Sequence, residues 1–499
     1  MLIIFTLLAY FALLMVVSRI TSRRADNNTF YRGDRQSPWY MVAFGMVGAS
    51  ISGVTFVSVP GMVMHTDMTY MQTCLGFILG YFAVAFLLLP LYYRLNSTTI
   101  YSFLKQRLGP DAHRTGASFF LLSKMTGAAI RFYVVCLILH SFVVSPLLSS
   151  IIVSRCDTAT YWTFGLTVAA MVALIWFYTR RGGIKTLVWT DTVQTTCMFL
   201  ALILIIYKVM NMLGMGVGEA LTAVFHDGHS RMFVWDDWVS KQYFWKQFLS
   251  GIFIVIVMTG LDQDMMQKNL TCKSLPDAQK DMCTYGFAFV PANLLFMVLG
   301  VLLMMLAAKQ GIALPANSDE LLPMFAATGQ LGQAVVVLFT IGIVAASFSS
   351  ADSALTAMTT TWCVDIAGNA DDERLRRRVH MMMAVVFAVI IILVRILNST
   401  SVIDAIYILC SYTYGPLLGL FAFAIFIRRR RCVFQGKTVP LICIASPLLC
   451  YGLNLVVAKT TGYQFGYELL IMNGLFTFLG LWTIEQYRGR HRQKEETTG

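Results

Sequence analysis

Apolar runs of about 20 residues recur from one end of the chain to the other, separated by short polar or basic segments. This rhythm predicts an all-α polytopic membrane protein. The first run, 1–19, carries no charge before Arg19 and has neither the basic leader nor the small-residue cleavage site of a signal peptide, so it reads as a retained helix. Further crossings are predicted over 39–64, 70–95, 116–147, 158–178, 185–208, 243–265, 281–308, 331–360, 379–398, 402–427, 438–458 and 464–485, about thirteen in all. A polar, Trp- and Asp-containing loop fills 209–242, and the charged tail 486–499 reads as disordered.

Composition agrees. Of 499 residues, 57% are hydrophobic and only 13% charged, about half the charged share of a soluble domain; mean hydropathy is +0.67. No polar stretch is long enough for a separate soluble domain. The eleven cysteines are scattered singly, without ligand spacing, and read as neither disulfides nor a metal centre. The net charge of +12 is no nucleic-acid signal, because 28 of the 38 Lys and Arg fall in the tail or in loops after odd-numbered helices, such as Arg180/Arg181/Lys185, Arg374/Arg376–Arg378 and Arg428–Arg431. By the positive-inside rule the amino terminus is then outside and the carboxyl terminus cytoplasmic.

Polar groups interrupt this apolar background. Within the predicted ninth helix Ala346, Ser349, Ser350 and Ser353 fall at i, i+3, i+4 and i+7 on one face, with Asp352 beside them. Oxygens at membrane depth are costly unless used. They suit a hard cation such as Na⁺, by the logic that gives Ca²⁺ and Mg²⁺ oxygen ligands; they equally suit serines bonded back to their own helix. The second helix holds Gly48, Ser50, Ser52, Gly53, Thr55 and Pro60-Gly61. Such a sequence predicts either unwound backbone lining a cavity or a small-residue packing face. Asp191 in helix six and Arg131 in helix four are membrane-embedded charges, candidates for function or for structural ion pairs; Arg131 could clamp a carboxylate. The polar cluster 259–268 reads as a site or as an ordinary solvated helix end.

Helices two and seven each open a possible five-helix unit and start on opposite sides, so the units would be inverted, with a site between broken helices at the midplane. The organisation predicted is a first helix and basic loop (1–38), a first repeat (39–210), a second repeat with its external loop (211–430), and two additional helices with a cytoplasmic tail (431–499).

The chain resembles the sodium:solute symporter family, the relatives of bacterial proline, sugar and sialic acid symporters and the sodium/glucose cotransporters, over about residues 20–430. The motifs are Thr29–Trp39, Ser52–Gly61, Trp189-Thr-Asp191-Thr-Val-Gln194, Gly260–Gln267, Ser349-Ser-Ala-Asp-Ser353 and Tyr414–Phe421, in the family's order. The resemblance implies a LeuT-type 5+5 inverted-repeat core. It implies a sodium site at the backbone oxygens of Gly48, Ile51 and Ala346 and the hydroxyls of Ser349 and Ser350, and a second at Asp191, Ser349, Asp352 and Ser353. For substrate it implies Ser50, Ser52 and Thr55. The substrate-binding Arg of the sialic acid symporters aligns with Ala128, one turn before Arg131, and their Gln with Cys74, near Gln72.

The function expected is sodium-coupled import of a small organic solute by alternating access at the plasma membrane. Arg131 points to an organic anion such as a sialic acid; a neutral sugar, polyol or amino acid, or proton coupling through Asp191 or Asp352, are the alternatives. No nucleophile–base pair or metal-ligand set suggests an enzyme, and the short tail leaves no room for a kinase domain. The expected partners are the solute, Na⁺ and the bilayer.

Overall fold

The computed structural model describes residues 2–498 except 24, 146–156, 328, 398–401, 428–433, 435, 462 and 464. The predicted arginine run 428–431 lies outside them. Among the described residues there is no strand, only an isolated bridge between Ser37 and Cys272.

The helices in order are α1 (Leu2–Thr21), α2 (Asn27–Arg32), α3 (Trp39–Ser50), α4 (Gly53–Thr66), α5 (Tyr70–Ala83), α6 (Leu89–Leu95), α7 (Ser102–Leu108), α8 (Pro110–Leu139) and α9 (Asp157–Leu213). There follow α10 (Val217–His226), α11 (Phe244–Val255), α12 (Gln263–Asn269), α13 (Leu275–Gln310), α14 (Leu321–Ala326), α15 (Gln333–Thr361), α16 (Glu373–Leu397), α17 (Val402–Thr413), α18 (Gly415–Phe426), α19 (Thr438–Thr461) and α20 (Leu469–Thr498). Among the described residues, eight helices are long and apolar enough to span a bilayer, or nine if α11 and α12 count as one bent span. This is fewer than the thirteen expected because some helices run together and others, Phe5–Thr21, Trp39–Ser50 and Gly415–Phe426, are shorter than a full span. The continuous stretches Gly53–Leu95 and Trp162–Leu213 hold 43 and 52 residues, where about 20 suffice for a crossing. Each turns back at a backbone reversal: Asp67 has φ 53°, and Gly183 has φ 49° and ψ −131°. Gly183 also lies against Phe30, where a Cβ would collide with the ring, so glycine is required there both by conformation and by space.

Among the described residues, two spans are broken. α3 and α4 part at Ile51 and Ser52, both outside the helical region (ψ 77° and 171°). α11 continues through a π turn, Ile256–Gly260, then bends by 70° into α12. α17 passes into α18 at Tyr414, which keeps helical dihedrals and accepts from the Leu418 N–H at 3.0 Å. The tail, expected to be disordered, instead continues α20 to Thr498, consistent with its Arg, Gln, Lys and Glu being good helix formers. On the loop side, Asp26 caps α2 by accepting from the Thr29 N–H at 2.7 Å; that bond holds its carboxyl below the usual carboxylate range.

Burial ranks the spans. In Gln333–Ile366, which contains α15, 72% of the apolar window is buried, against 17% in α19. α15 is therefore an interior helix and α19 a peripheral one. α5 and α11 cross at very close range through Gly76 and Gly251: a Cβ on the first would meet the Phe248 carbonyl, and on the second the Thr73 carbonyl. Small residues let membrane helices approach in this way. We predict that Gly251→Val, which overpacks a contact made by backbone, destabilises the protein by about 1–3 kcal/mol. A thermal unfolding midpoint in detergent equal to that of the wild type would refute this packing.

Candidate functional site

The break between α3 and α4 faces α15. A helix end leaves its last carbonyls without intrahelical donors, and here one of them, the Ala49 carbonyl, accepts from Ser350 Oγ at 2.8 Å. Ser350 Oγ also approaches the Ala346 carbonyl of its own helix at 3.4 Å. The approach is tight on both sides. A Cβ on Gly48 would strike the Thr195 hydroxyl of α9, and one on Gly53 the Ser347 hydroxyl of α15. The structure thus brings the α3 terminus carrying Gly48 and Ile51 to the stretch of α15 carrying Ala346, Ser349 and Ser350. All the groups gathered there are hard oxygens, a donor set that fits a small cation such as Na⁺.

Ser349 turns toward α9, donating to Asp191 Oδ1 at 2.6 Å. The other oxygen of Asp191 pairs with Lys268 Nζ of α12 at 2.7 Å, and both residues are 1% exposed. Ser353 bonds back to the Ser349 carbonyl at 2.7 Å and approaches Asp352 Oδ1 at 3.3 Å. Asp352 accepts from the Tyr178 hydroxyl at 2.6 Å. Asp191, Ser349, Asp352 and Ser353 therefore form one buried network, with an ammonium already inside it.

Beside this network a cavity of about 90 Å³ opens. Ser50 and Ser350 line it, with Arg131, Lys124, Asp262 and Tyr285. Ser50 and the Tyr285 hydroxyl share a short hydrogen bond. Lys124 pairs with Asp262 Oδ2 at 3.1 Å and Asp264 Oδ2 at 2.7 Å, and the Tyr414 hydroxyl donates to Asp262 Oδ2 at 2.7 Å. Arg131 has no hydrogen bond or ion pair to a described residue and is half-buried on the wall. The remaining predicted substrate residues stand outside the wall. Ser52 is buried at the start of α4, Thr55 is partly buried one turn on, and Cys74 is buried. Gln72 is committed to the loop before α11, donating to the Gln242 carbonyl at 2.8 Å and accepting from the Val234 N–H at 3.0 Å.

The sequence reading left the cluster 259–268 open between a site and a solvated end. In the structure Asp262, Asp264 and Lys268 are all at most 3% exposed. The bend at Leu261 and Asp262 carries them inward. The signal in the sequence was Gly260 followed by two acids and a lysine at the end of an apolar run. The tyrosines that complete the network, Tyr178, Tyr285 and Tyr414, carried no such signal.

A helical bundle with broken spans meeting at buried oxygens and ion pairs is the architecture of a secondary carrier. The sodium:solute symporter family model matches residues 30–436. The chain is 24% identical over 449 residues to the sodium/sialic acid symporter NanT of Aliivibrio fischeri (strain ATCC 700601 / ES114), covering 85% of this chain and 82% of that one. It is 23% identical over 442 residues to the sodium/sialic acid symporter SiaT of Proteus mirabilis (strain HI4320), covering 84% and 83%. Among solved structures, a substrate-bound, outward-open Na⁺-coupled sialic acid symporter superposes with a TM-score of 0.80 at 20% identity, over 98% of both chains. This protein belongs to the sodium:solute symporter family. It is a multi-pass plasma-membrane carrier with Na⁺ as coupling ion, not an enzyme.

Removing one partner of a buried pair leaves an uncompensated charge. Lys268→Met is expected to destabilise the protein by about 3–5 kcal/mol, and Asp191→Asn combined with it to recover a large part. Thermal unfolding of the two variants measures this; equal losses in both would disprove the coupling.

Proposed function

We propose that the protein imports a small organic anion together with Na⁺, the ion held by the α3 break and α15 and the anion by Arg131. The observation that carries the reading is the contact of Ser350 with the Ala49 carbonyl at the α3 terminus. A cation at this junction would take backbone oxygens of Gly48, Ile51 and Ala346 and the hydroxyls of Ser349 and Ser350. It would replace the present bond with ion–oxygen contacts and join the two repeats. An ion that binds one conformation better shifts the equilibrium toward it, and alternating access follows as one bundle rocks against the other. One Na⁺ moving down about 100 mV releases about 2.3 kcal/mol, and a tenfold sodium gradient adds about 1.4 kcal/mol.

The second candidate set, Asp191, Ser349, Asp352 and Ser353, is already supplied with a cation. Lys268 neutralises Asp191 directly. We assign to this ammonium the task a second ion would have, which leaves one sodium per cycle. Sodium titration of uptake should give a Hill coefficient of about one, and Ser349→Ala with Ser350→Ala should remove the sodium stimulation while leaving the protein folded. A coefficient near two, or full stimulation in the double variant, would contradict the assignment.

Arg131 is the charge on the cavity wall with no partner among the described residues. A guanidinium in that position suits a carboxylate, and the hydroxyls of Ser50 and Tyr285 suit a polyhydroxylated body. Both features fit a sialic acid, the solute in the names of the two relatives. The cavity is small for such a solute, so the bundle has to widen around it during the cycle. Loss of one charge-assisted bond, about 1.5–3 kcal/mol, gives an expected rise in KM of about 10- to 150-fold for Arg131→Gln. Measured uptake of labelled sialic acid with an unchanged KM in that variant would remove Arg131 from the site.

A further inference from the structure

A second group of charges lies between α9 and α16, apart from the cavity. Arg180 and Arg181 close the first half of α9 just before the Gly183 reversal, and Arg377 and Arg378 stand in the first turns of α16. With Trp176 and Met381 they line a groove of about 330 Å³. The groove is short of negative charge. Arg377 pairs with Glu373 at 2.7 Å. Arg181 and Arg378 are exposed and have no hydrogen bond or ion pair to a described residue. Arg180 lies over the rings of Trp176 and Phe177, at 5.0 and 4.4 Å from their centroids. The indole N–H of Trp176 is buried with no acceptor among the described residues.

The frame that presents these groups is fixed. His380 of α16 shares hydrogen bonds of 2.9 Å with Thr179 of α9 and with Thr359 of α15. The guanidiniums are thus mounted on two helices pinned to each other and to the helix of Ser349 and Ser350. Neighbouring Arg376 takes no part, being buried with its guanidinium over Phe30. Outward, the groove is flanked by apolar side chains: Phe177 is 45% exposed and Met381 51%.

We propose that this groove binds the phosphate headgroup of an anionic phospholipid. Guanidinium forks match phosphate oxygens in paired hydrogen bonds. Basic pockets between membrane helices on one face gather acidic headgroups, and aromatic rings sit at the depth of the headgroups. Phe177 and Met381 give the acyl chains an apolar surface that a dissolved anion would not use. Because the same clamp reaches Thr359, a bound lipid braces α15 below the proposed ion junction.

The test is lipid retention by the purified full-length protein, read by native mass spectrometry after equilibration with phosphatidylglycerol or phosphatidylcholine of identical acyl chains. Phosphatidylglycerol should be retained preferentially. Arg181→Gln with Arg378→Gln should lower its retention by on the order of fivefold per arginine, and Arg181→Lys with Arg378→Lys, which keeps the charge and loses the fork, should fall between the Gln variant and the wild type. Both positions are exposed, so the thermal midpoints should match that of the wild type, which separates lost binding from lost folding. Equal retention of the two lipids, or retention unchanged in the Gln variant, would overturn the proposal. So would displacement of the lipid by millimolar inorganic phosphate alone, the mark of a free-anion site, or an acidic protein found in the groove in place of lipid.

Discussion

Backbone carbonyls freed inside a membrane must be satisfied by the protein, because no water is there to do it. In this carrier the requirement is met where α3 ends. The Ala49 carbonyl takes the Ser350 hydroxyl of α15, and the absence of side chains at Gly48 and Gly53 lets α9 and α15 close in on the break. Much else depends on this junction. α15 is held deep in the bundle, and its serines face the break on one side and Asp191 on the other. The oxygens gathered at this junction are the donor set of the proposed ion site.

The buried charges divide into two kinds. Lys124 with Asp262 and Asp264, and Lys268 with Asp191, are mutually compensated and buried. Their net contribution to stability is small, since desolvation offsets much of the attraction. What they do contribute is position: the first ties the bend at the start of α12 to α8, and the second ties the end of α12 to α9. Arg131 belongs to the other kind, a charge on the cavity wall with no partner among the described residues. A compensated charge holds the frame, and the uncompensated one facing the cavity is the group to which the proposed anion is assigned.

Local patterns made a good part of this readable. Hydropathy marks the spans because each stretch must be apolar on its own account to enter lipid. Gly48, Gly53 and Pro60 mark the weak second helix because helix propensity is a property of each residue. The oxygen stripe of Ser349, Ser350 and Ser353 follows from helical spacing alone. Gln72 shows where such reading stops. Its sequence position beside Cys74 placed it among the substrate contacts, whereas the fold spends both ends of its amide on the loop before α11.

What the sequence determined by itself is the class of molecule, the recurrence and order of apolar stretches, the excess of basic residues on one set of loops, and the weakness of the second predicted helix. All of these are written in consecutive residues. The tertiary structure alone decided that 262–268 turns inward, that Lys124 meets Asp262 from 138 positions away, and that Lys268 takes the second carboxylate oxygen of Asp191. A lysine or an aspartate reads the same whether it ends in water or in an ion pair. Only the packing of distant helices fixes which, because only packing sets the distance to the partner and removes the solvent between them.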